Sequence, residues 1–511
     1  MYQFLCFLLV TAQVSFAAGR NILLIIADDY GQDSSALYNT SAAASLPPTP
    51  NIASLRSGGV LFRNAWAHPT CSPTRASLLT GRHPFRTGVD QALTGTSGSP
   101  LPAAELTLPE IFAARAVEYA TAQFGKWHLT TGPNTPNTIG GWPHFAGSIQ
   151  GAVQDYSSWN KVTNGVTTVN YTTYATTDVV NDAVTWIQAR GTQPWFAWVA
   201  FNAGHTPLHK PPNDLHSKDS LSGTQANINA NPRPYFEAMI EAMDTEIGRL
   251  LLAVDRSNTH IIFLGDNGTT ANVIQPPWNA HAKGSLYEGG VRVPMVINSP
   301  DIVSPGRESQ AIVHAVDVFS TILELAGIDQ SAAVPGNVAI DSRSLIPILK
   351  NQAETSERYA YSEIATDENP SNRPGATVRN STHKLIRFTD GNEELYDLRA
   401  DPYETTDLMA GTLSSAAQAN YYALVLKLAE SQDTMPAPEI TATALGAGGF
   451  SVTVKLSSGT TYELWRSADL GSLSWAPVSG AAVVIGNGAV TLTDSEPAGA
   501  RVYYRVLATV P

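Results

Sequence analysis

The chain alternates between unbroken apolar runs and amphipathic stretches. The first run after the N-terminal segment, Ile22-Leu-Leu-Ile-Ile-Ala27, ends abruptly on Asp28 and Asp29. A run with no polar alternation predicts a strand covered on both faces, hence a parallel sheet with helices outside. The same shape recurs from about 119 to Lys126-Trp-His128. It recurs again at 195–202, leading to Gly204-His205-Thr-Pro207, at 260–265, leading to Asp266-Asn267-Gly268, and at 293–298. Between these lie stretches with apolar residues at helical spacing: 49–56, 234–254 and 316–326, the last followed by Gly327. Strands alternating with helices predict an α/β fold. Open sheets of that class bind ligands beyond the carboxyl ends of their strands, and four of the five runs place polar residues there.

The pattern shifts near 330. Shorter strand-like pieces at 358–362 and 382–387, a polar and aromatic stretch at 394–404 and a helix at 414–430 predict an antiparallel α+β subdomain over 331–433. Thr434-Met-Pro-Ala-Pro438 then looks like a linker, a place where few contacts cross. From 439 to 511, strand-length pieces rich in Thr, Val and Tyr alternate with turn residues, which predicts a small all-β sandwich. That module has no His and no Cys, and reads as a glycan-binding accessory or an inert spacer. The whole is therefore an α/β protein. Its large, mixed, mostly parallel sheet over 19–330 is joined to the antiparallel subdomain and the C-terminal β module.

Composition narrows the partners. The net charge is −13, with 15% charged residues in 511, which argues against nucleic acid because phosphate neutralisation needs a basic face. Residues 1–18 have a short apolar core and small residues around Ser15-Phe16-Ala17, as a secretory signal peptide has, although its basic start is missing. The core is too short to span a bilayer comfortably, and no later stretch reads as an integral membrane segment. The expected location is secreted or periplasmic. Cys6 leaves with the signal, so Cys71 remains as a single thiol and no internal disulfide can form.

A lone cysteine is ordinarily a small buried hydrophobe. Cys71, however, opens the stretch Cys71-Ser-Pro-Thr-Arg-Ala-Ser-Leu-Leu-Thr-Gly-Arg82. Pro73 suits the first turn of a helix and Gly81 its end. Cys71 then sits where free N–H groups and the helix dipole favour negative charge, and Arg75 follows one turn on. The sequence Cys-x-Pro-Ser/Thr-Arg with this extension resembles the signature of the type I sulfatases, of the alkaline phosphatase-like superfamily. The resemblance implies that Cys71 is oxidised to formylglycine (3-oxoalanine) by a maturation enzyme, and that the hydrated aldehyde attacks a sulfate ester.

Read singly, Asp28-Asp29 and Asp266-Asn267-Gly268 are ordinary turn or cap residues. Read together, at the ends of strands of one sheet, they form a cluster of hard oxygen ligands suited to Ca²⁺ or Mg²⁺. The resemblance extends to them, and implies a metal site of Asp28, Asp29, Asp266, Asn267 and the modified Cys71. It also covers Gly125-Lys126-Trp-His128, Gly204-His205-Thr-Pro207 (with Gly204 where the family more often has Pro), Lys283-Gly-Ser-Leu-Tyr-Glu-Gly-Gly-Val-Arg-Val-Pro294 and the 394–404 stretch, in all about residues 20–410. The implied catalytic set is Cys71, Arg75, Lys126, His128, His205 and Lys283. Arg75, Lys126 and Lys283 would hold the sulfate charge. Asp266 would take the proton of the attacking hydroxyl, His205 or Lys283 would protonate the leaving oxygen, and His128 would take the second hydroxyl's proton.

His68, His209 and His281 lie near these motifs and read as solvated or capping residues. Three other readings compete. A phosphate or phosphonate monoester hydrolase of the same fold shares the tetrahedral oxygens. A non-catalytic glycan-binding homologue would not need every motif position filled. A thiol hydrolase using Cys71 leaves the aspartates unexplained. The expected substrate is a sulfated small molecule or polysaccharide.

Overall fold

The computed structural model describes residues 19–509, apart from 96, 132–133, 279–280, 355, 366–371, 432–439, 447, 456–460, 469–474, 487–488 and 498–501. The expected signal at 1–18 and the linker at 434–438 lie outside the described residues.

Ten strands form the central sheet: β1 (Asn21–Ala27), β2 (Gly59–Trp66), β3 (Ala120–Lys126), β4 (His144–Ser148), β5 (Trp159–Thr163), β6 (Val166–Tyr171), β7 (Trp195–Ala200), β8 (Thr259–Gly265), β9 (Met295–Asn298) and β10 (Arg307–His314). Their order is β10-β2-β9-β8-β1-β7-β3-β4-β5-β6. The four central neighbours β8, β1, β7 and β3 are all parallel. The 293–298 run forms β9, and it pairs antiparallel with both β8 and β2. β5 is likewise antiparallel to β4 and β6, so the sheet is mixed and mostly parallel.

The central strands are apolar throughout because both faces are covered. Ile22, Leu24 and Ile26 join Phe196, Trp198, Ile262 and Leu264 in one core. Leu23, Ile25 and Ala27 join Ala197, Val199, Ile261 and Phe263 in the other. Successive side chains point to opposite faces, so one run feeds two cores. The Arg233–Leu252 and Ala175–Gln188 helices pack on the second face, and the Cys71–Thr80 and Asp317–Leu325 helices on the first.

A second sheet, β11 (Ala360–Ile364), β12 (Gly375–Arg379), β13 (His383–Phe388) and β14 (Glu393–Asp397), is antiparallel throughout. The Ser415–Ser431 helix packs against it. Beyond it lie two small antiparallel sheets, of four and three strands, within 440–509. This last unit is not loosely attached. Trp465, Trp475 and Leu507 are buried in one cluster with Leu424 and Leu428 of the helix and Tyr361 and Val378 of the second sheet. Tyr462 is partly buried within the module's own core.

Candidate active site

The parallel arrangement delivers each polar strand end to the same edge of the sheet. Asp28 and Asp29 follow β1, Asp266 and Asn267 follow β8, His205 lies beyond β7, and Lys126 closes β3 with His128 two residues on. Cys71 is the first residue of its helix, Thr70 is its N-cap, and Gly81 ends it with φ 71°. Every residue of that helix is buried. Asp29 (φ 52°) and His128 (φ 59°) hold left-handed backbone, a conformation that costs energy in a non-glycine residue and clusters at functional sites.

The side chains converge. One carboxylate oxygen each from Asp28, Asp29 and Asp266 lies, with Cys71 Sγ, within a mutual 4.8 Å, and His205 joins Asp29 and Cys71 at the same spacing. Lys126 Nζ donates to Asp28 Oδ2 at 2.5 Å, and Lys283 Nζ donates to Asp29 Oδ1 at 2.5 Å and to Cys71 Sγ at 3.4 Å. Arg75 donates from Nε and Nη2 to Asp266 Oδ2 at 3.1 and 2.7 Å and from Nη1 to the Lys126 carbonyl at 2.9 Å. Asn267 Nδ2 donates to Asp29 Oδ1 at 2.8 Å.

Charge state follows from burial and these neighbours. Burial, then the Asp28 carboxylate, pushes Asp266 up to about 6 against the pull of Arg75. Burial also opposes ionisation of Asp29, but the Lys283 ammonium, with His205 and Lys126, holds it well below the usual carboxylate range. Burial works against charge on Lys283 too, yet Asp29 beside it keeps its ammonium well above its ordinary value. Burial pushes the Cys71 thiol up to about 12 despite both lysines. Such a thiol is a weak nucleophile near neutrality, which disfavours the thiol hydrolase reading. His128 and His205 are lowered, chiefly by burial and then by the Lys126 ammonium, His205 to about 3.

The donor set fits a hard cation. Asp29 Oδ2 and Asn267 Oδ1 are buried with no hydrogen-bond partner among the described residues. Such oxygens are costly unless something meets them, and carboxylate and amide oxygens are what Ca²⁺ and Mg²⁺ take.

Every residue expected from the sequence is therefore brought to this edge, though not all face the same way. Cys71, His128, His205 and Lys283 line a cavity of about 760 Å³. Arg75 and Lys126 are fully buried and are not among its described lining residues; they pair with Asp266 and Asp28. His68 is fully buried rather than solvated, ringed by His83 and His314 at centroid distances of 5.3 and 4.7 Å. His209 bonds to Tyr174 Oη at 2.9 Å, and His281 stacks on Tyr287.

Four participants were not anticipated. His128 Nε2 lies 2.7 Å from the Leu93 carbonyl oxygen. A carbonyl only accepts, so Nε2 carries the proton and Nδ1 holds the lone pair; Nδ1 is buried without a partner among the described residues. Ser72 Oγ ties the two loops together, donating to the His128 carbonyl at 2.9 Å and accepting from Leu93 N at 3.0 Å. Gly151 packs on the imidazole, and a Cβ there would lie 2.4 Å from the ring. Ser148, at the end of β4, lines the cavity and bonds to Asn202. Ser72 lay inside the signature; the others carry no sequence signal beyond a strand end or a loop.

Comparison with known proteins follows the same line. The family model described as Sulfatase matches residues 20–328, and that described as N-sulphoglucosamine sulphohydrolase, C-terminal, matches 278–431. The chain is 28% identical to arylsulfatase J of Mus musculus over 60% of its own length and 52% of that protein's, so it spans about half of that relative. It is 29% identical to an ulvan-active sulfatase of Formosa agariphila, over 71% and 72% of the two chains. Among solved structures, Ps i-CgsB in complex with k-i-k-neocarrahexaose is 25% identical, with a TM-score of 0.67 over 81% of this chain and 93% of that one.

Proposed function

The chain belongs to the sulfatase family, whose model covers more than half of it, and from that premise we propose that this sulfuric ester hydrolase removes sulfate from a carbohydrate, using Cys71 after its conversion to formylglycine. The observation that carries the reading is the convergence of three carboxylates and the Lys283 ammonium on Cys71 at the start of a buried helix. Relatives with the printed names ulvan-active sulfatase and Ps i-CgsB with neocarrahexaose support a carbohydrate ester.

Formylglycine, formed by a maturation enzyme, supplies a hydrated aldehyde with two hydroxyls in place of the thiol. Asp28, Asp29, Asp266 and Asn267 would hold Ca²⁺ or Mg²⁺, which would lower the hydroxyl's pKa and draw charge from a sulfate oxygen. The chain's own groups do the remaining work. Asp266, whose carboxylate lies beside Cys71, takes the proton of the attacking hydroxyl. Arg75 is a positioning residue: it fixes the Asp266 carboxylate and ties it to the β3 backbone. Lys283, charged and lining the cavity, holds the sulfate, and it or His205 gives the leaving oxygen its proton. His128 Nδ1 takes the second hydroxyl's proton, which expels sulfate and restores the aldehyde.

The same reading assigns residues 1–18 to export, to the periplasm or outside the cell, 19–330 to the catalytic domain, 331–433 to its antiparallel subdomain and 439–511 to an accessory module. No helix among the described residues is long and apolar enough to cross a membrane. A phosphate monoester hydrolase is the second reading, because the same cations would hold a phosphoryl group. Sulfate and phosphate esters of one phenol, assayed side by side with the matured enzyme, separate the two. The sulfate ester should turn over at least about a hundredfold faster, and a phosphate preference would contradict the proposal.

A further inference from the structure

The cavity above Cys71 is charged at its floor, and the described residues along its wall are uncharged. At about 760 Å³ it falls within the roughly 300–1,000 Å³ of small-molecule sites. Gln150 and Gln154, on the loop after β4, line it together with Asn160 of β5 and Thr167 of β6. All four are exposed. Leu93 and Val162 add apolar surface. Among the described lining residues, Lys283 is the one Lys or Arg, and it is already paired to Asp29 at 2.5 Å; none is Asp or Glu, and none is Phe, Tyr or Trp.

We propose that this site is built for a saccharide whose only charge is the sulfate being removed, a neutral hexose or deoxyhexose monosulfate, with Gln150, Gln154 and Asn160 as its specificity-determining residues. The inference rests on the sulfatase reading above. Among the described lining residues a second sulfate or a uronate on the bound ring would meet amides and hydroxyls with no counter-charge beyond the paired Lys283, in a protein of net charge −13. At this exposed wall a second anion stays solvated and gains no ion pair, whereas a hydroxyl gains a hydrogen bond to the amides. Each Gln or Asn offers two donors and an acceptor, the complement of a ring carrying several hydroxyls, while Leu93 and Val162 suit its C–H face. With no aromatic ring among the described lining residues, an aryl sulfate gains no stacking from them. The Gln and Asn side chains come from the β4 loop and β5, while the catalytic side chains come from the ends of β1, β3, β7 and β8, the Cys71 helix and the loop at Lys283.

The test uses the full-length, matured, Ca²⁺-supplied enzyme. Its substrates are neutral hexoses and deoxyhexoses sulfated at each hydroxyl in turn, a disulfated glucosamine, a sulfated uronate and an aryl sulfate. The best neutral monosulfate should exceed the best doubly charged sugar in kcat/KM by about tenfold or more. Gln150→Ala and Gln154→Ala should each raise KM for that sugar by about two- to tenfold, the range of a lost hydrogen bond, with kcat and aryl sulfate turnover little changed. Gln154→Lys should narrow the gap between singly and doubly charged sugars. Equal or better turnover of doubly charged sugars overturns the inference. So do inert neutral sugars beside a working aryl sulfate, and unchanged KM in both alanine variants. In each of those cases the sulfatase reading stands. If no ester at all is cleaved, that reading falls and this inference with it.

Discussion

Asp266→Asn should change how stability depends on pH, by an amount the structure sets. Asp266 is fully buried beside Asp28, and despite Arg75 its pKa rises from the usual 3.8 to about 6. A folded-state pKa above the unfolded one means that the folded protein holds the proton more tightly. The resulting stabilisation is complete below about pH 4 and is lost as pH rises through about 6. A gap of about two units at about 1.4 kcal/mol each comes to about 3 kcal/mol, of which about 2–3 kcal/mol falls between pH 4 and pH 7. Asparagine keeps the shape and cannot titrate. The stability of wild type minus that of Asp266→Asn, in chelator, should therefore fall by about 2–3 kcal/mol over this window. Asp29, shifted the other way, titrates below the window and is present in both proteins. Urea unfolding at several pH values, following the same fluorescence transition in both chains, reads the difference. A difference that is flat, or that grows with pH, refutes the electrostatic account of the carboxylate cluster.

Ca²⁺ at about a hundred times its Kd should stabilise the wild-type protein by about 2.7 kcal/mol in thermal or urea unfolding, and Asp29→Ala should lose both that gain and turnover. Gly151→Ala places a Cβ 2.4 Å from the His128 ring, so kcat should fall by about tenfold or more while far-UV circular dichroism stays unchanged. Ending the chain near Met435 removes no described residue that lines the cavity, so kcat/KM for an aryl sulfate should stay within about threefold. The same truncation uncovers Leu424 and Leu428, which pack with Trp465 and Trp475, and should lower the unfolding temperature.

The central strands were legible because β1, β7 and β8 bury both faces and so carry apolar runs. β2 was hidden by Arg63 and Asn64, and β10 by its polar first half. The β5–β6 hairpin was hidden because β6 is exposed along almost its whole length. The direction of β9 is set by its neighbours, not by its own residues. The site was readable where chemistry resides in side chains at strand ends, as for Asp28, Asp266 and Lys283. It was unreadable where the backbone acts, as when the Leu93 carbonyl sets the His128 tautomer, because any residue supplies a carbonyl. The tandem tryptophans Trp465 and Trp475 look alike for stacking or packing in sequence; only their burial against the Ser415–Ser431 helix decides it.

The central claim is that Cys71 reacts as formylglycine and not as a thiol pushed up to about 12. The direct measurement is sulfate release from one aryl ester by preparations matured to different extents, with the aldehyde fraction of the Cys71 peptide quantified by mass spectrometry in each. Turnover should rise in proportion to the aldehyde fraction and extrapolate to zero without it, and full turnover from protein carrying only the unmodified thiol would contradict the account.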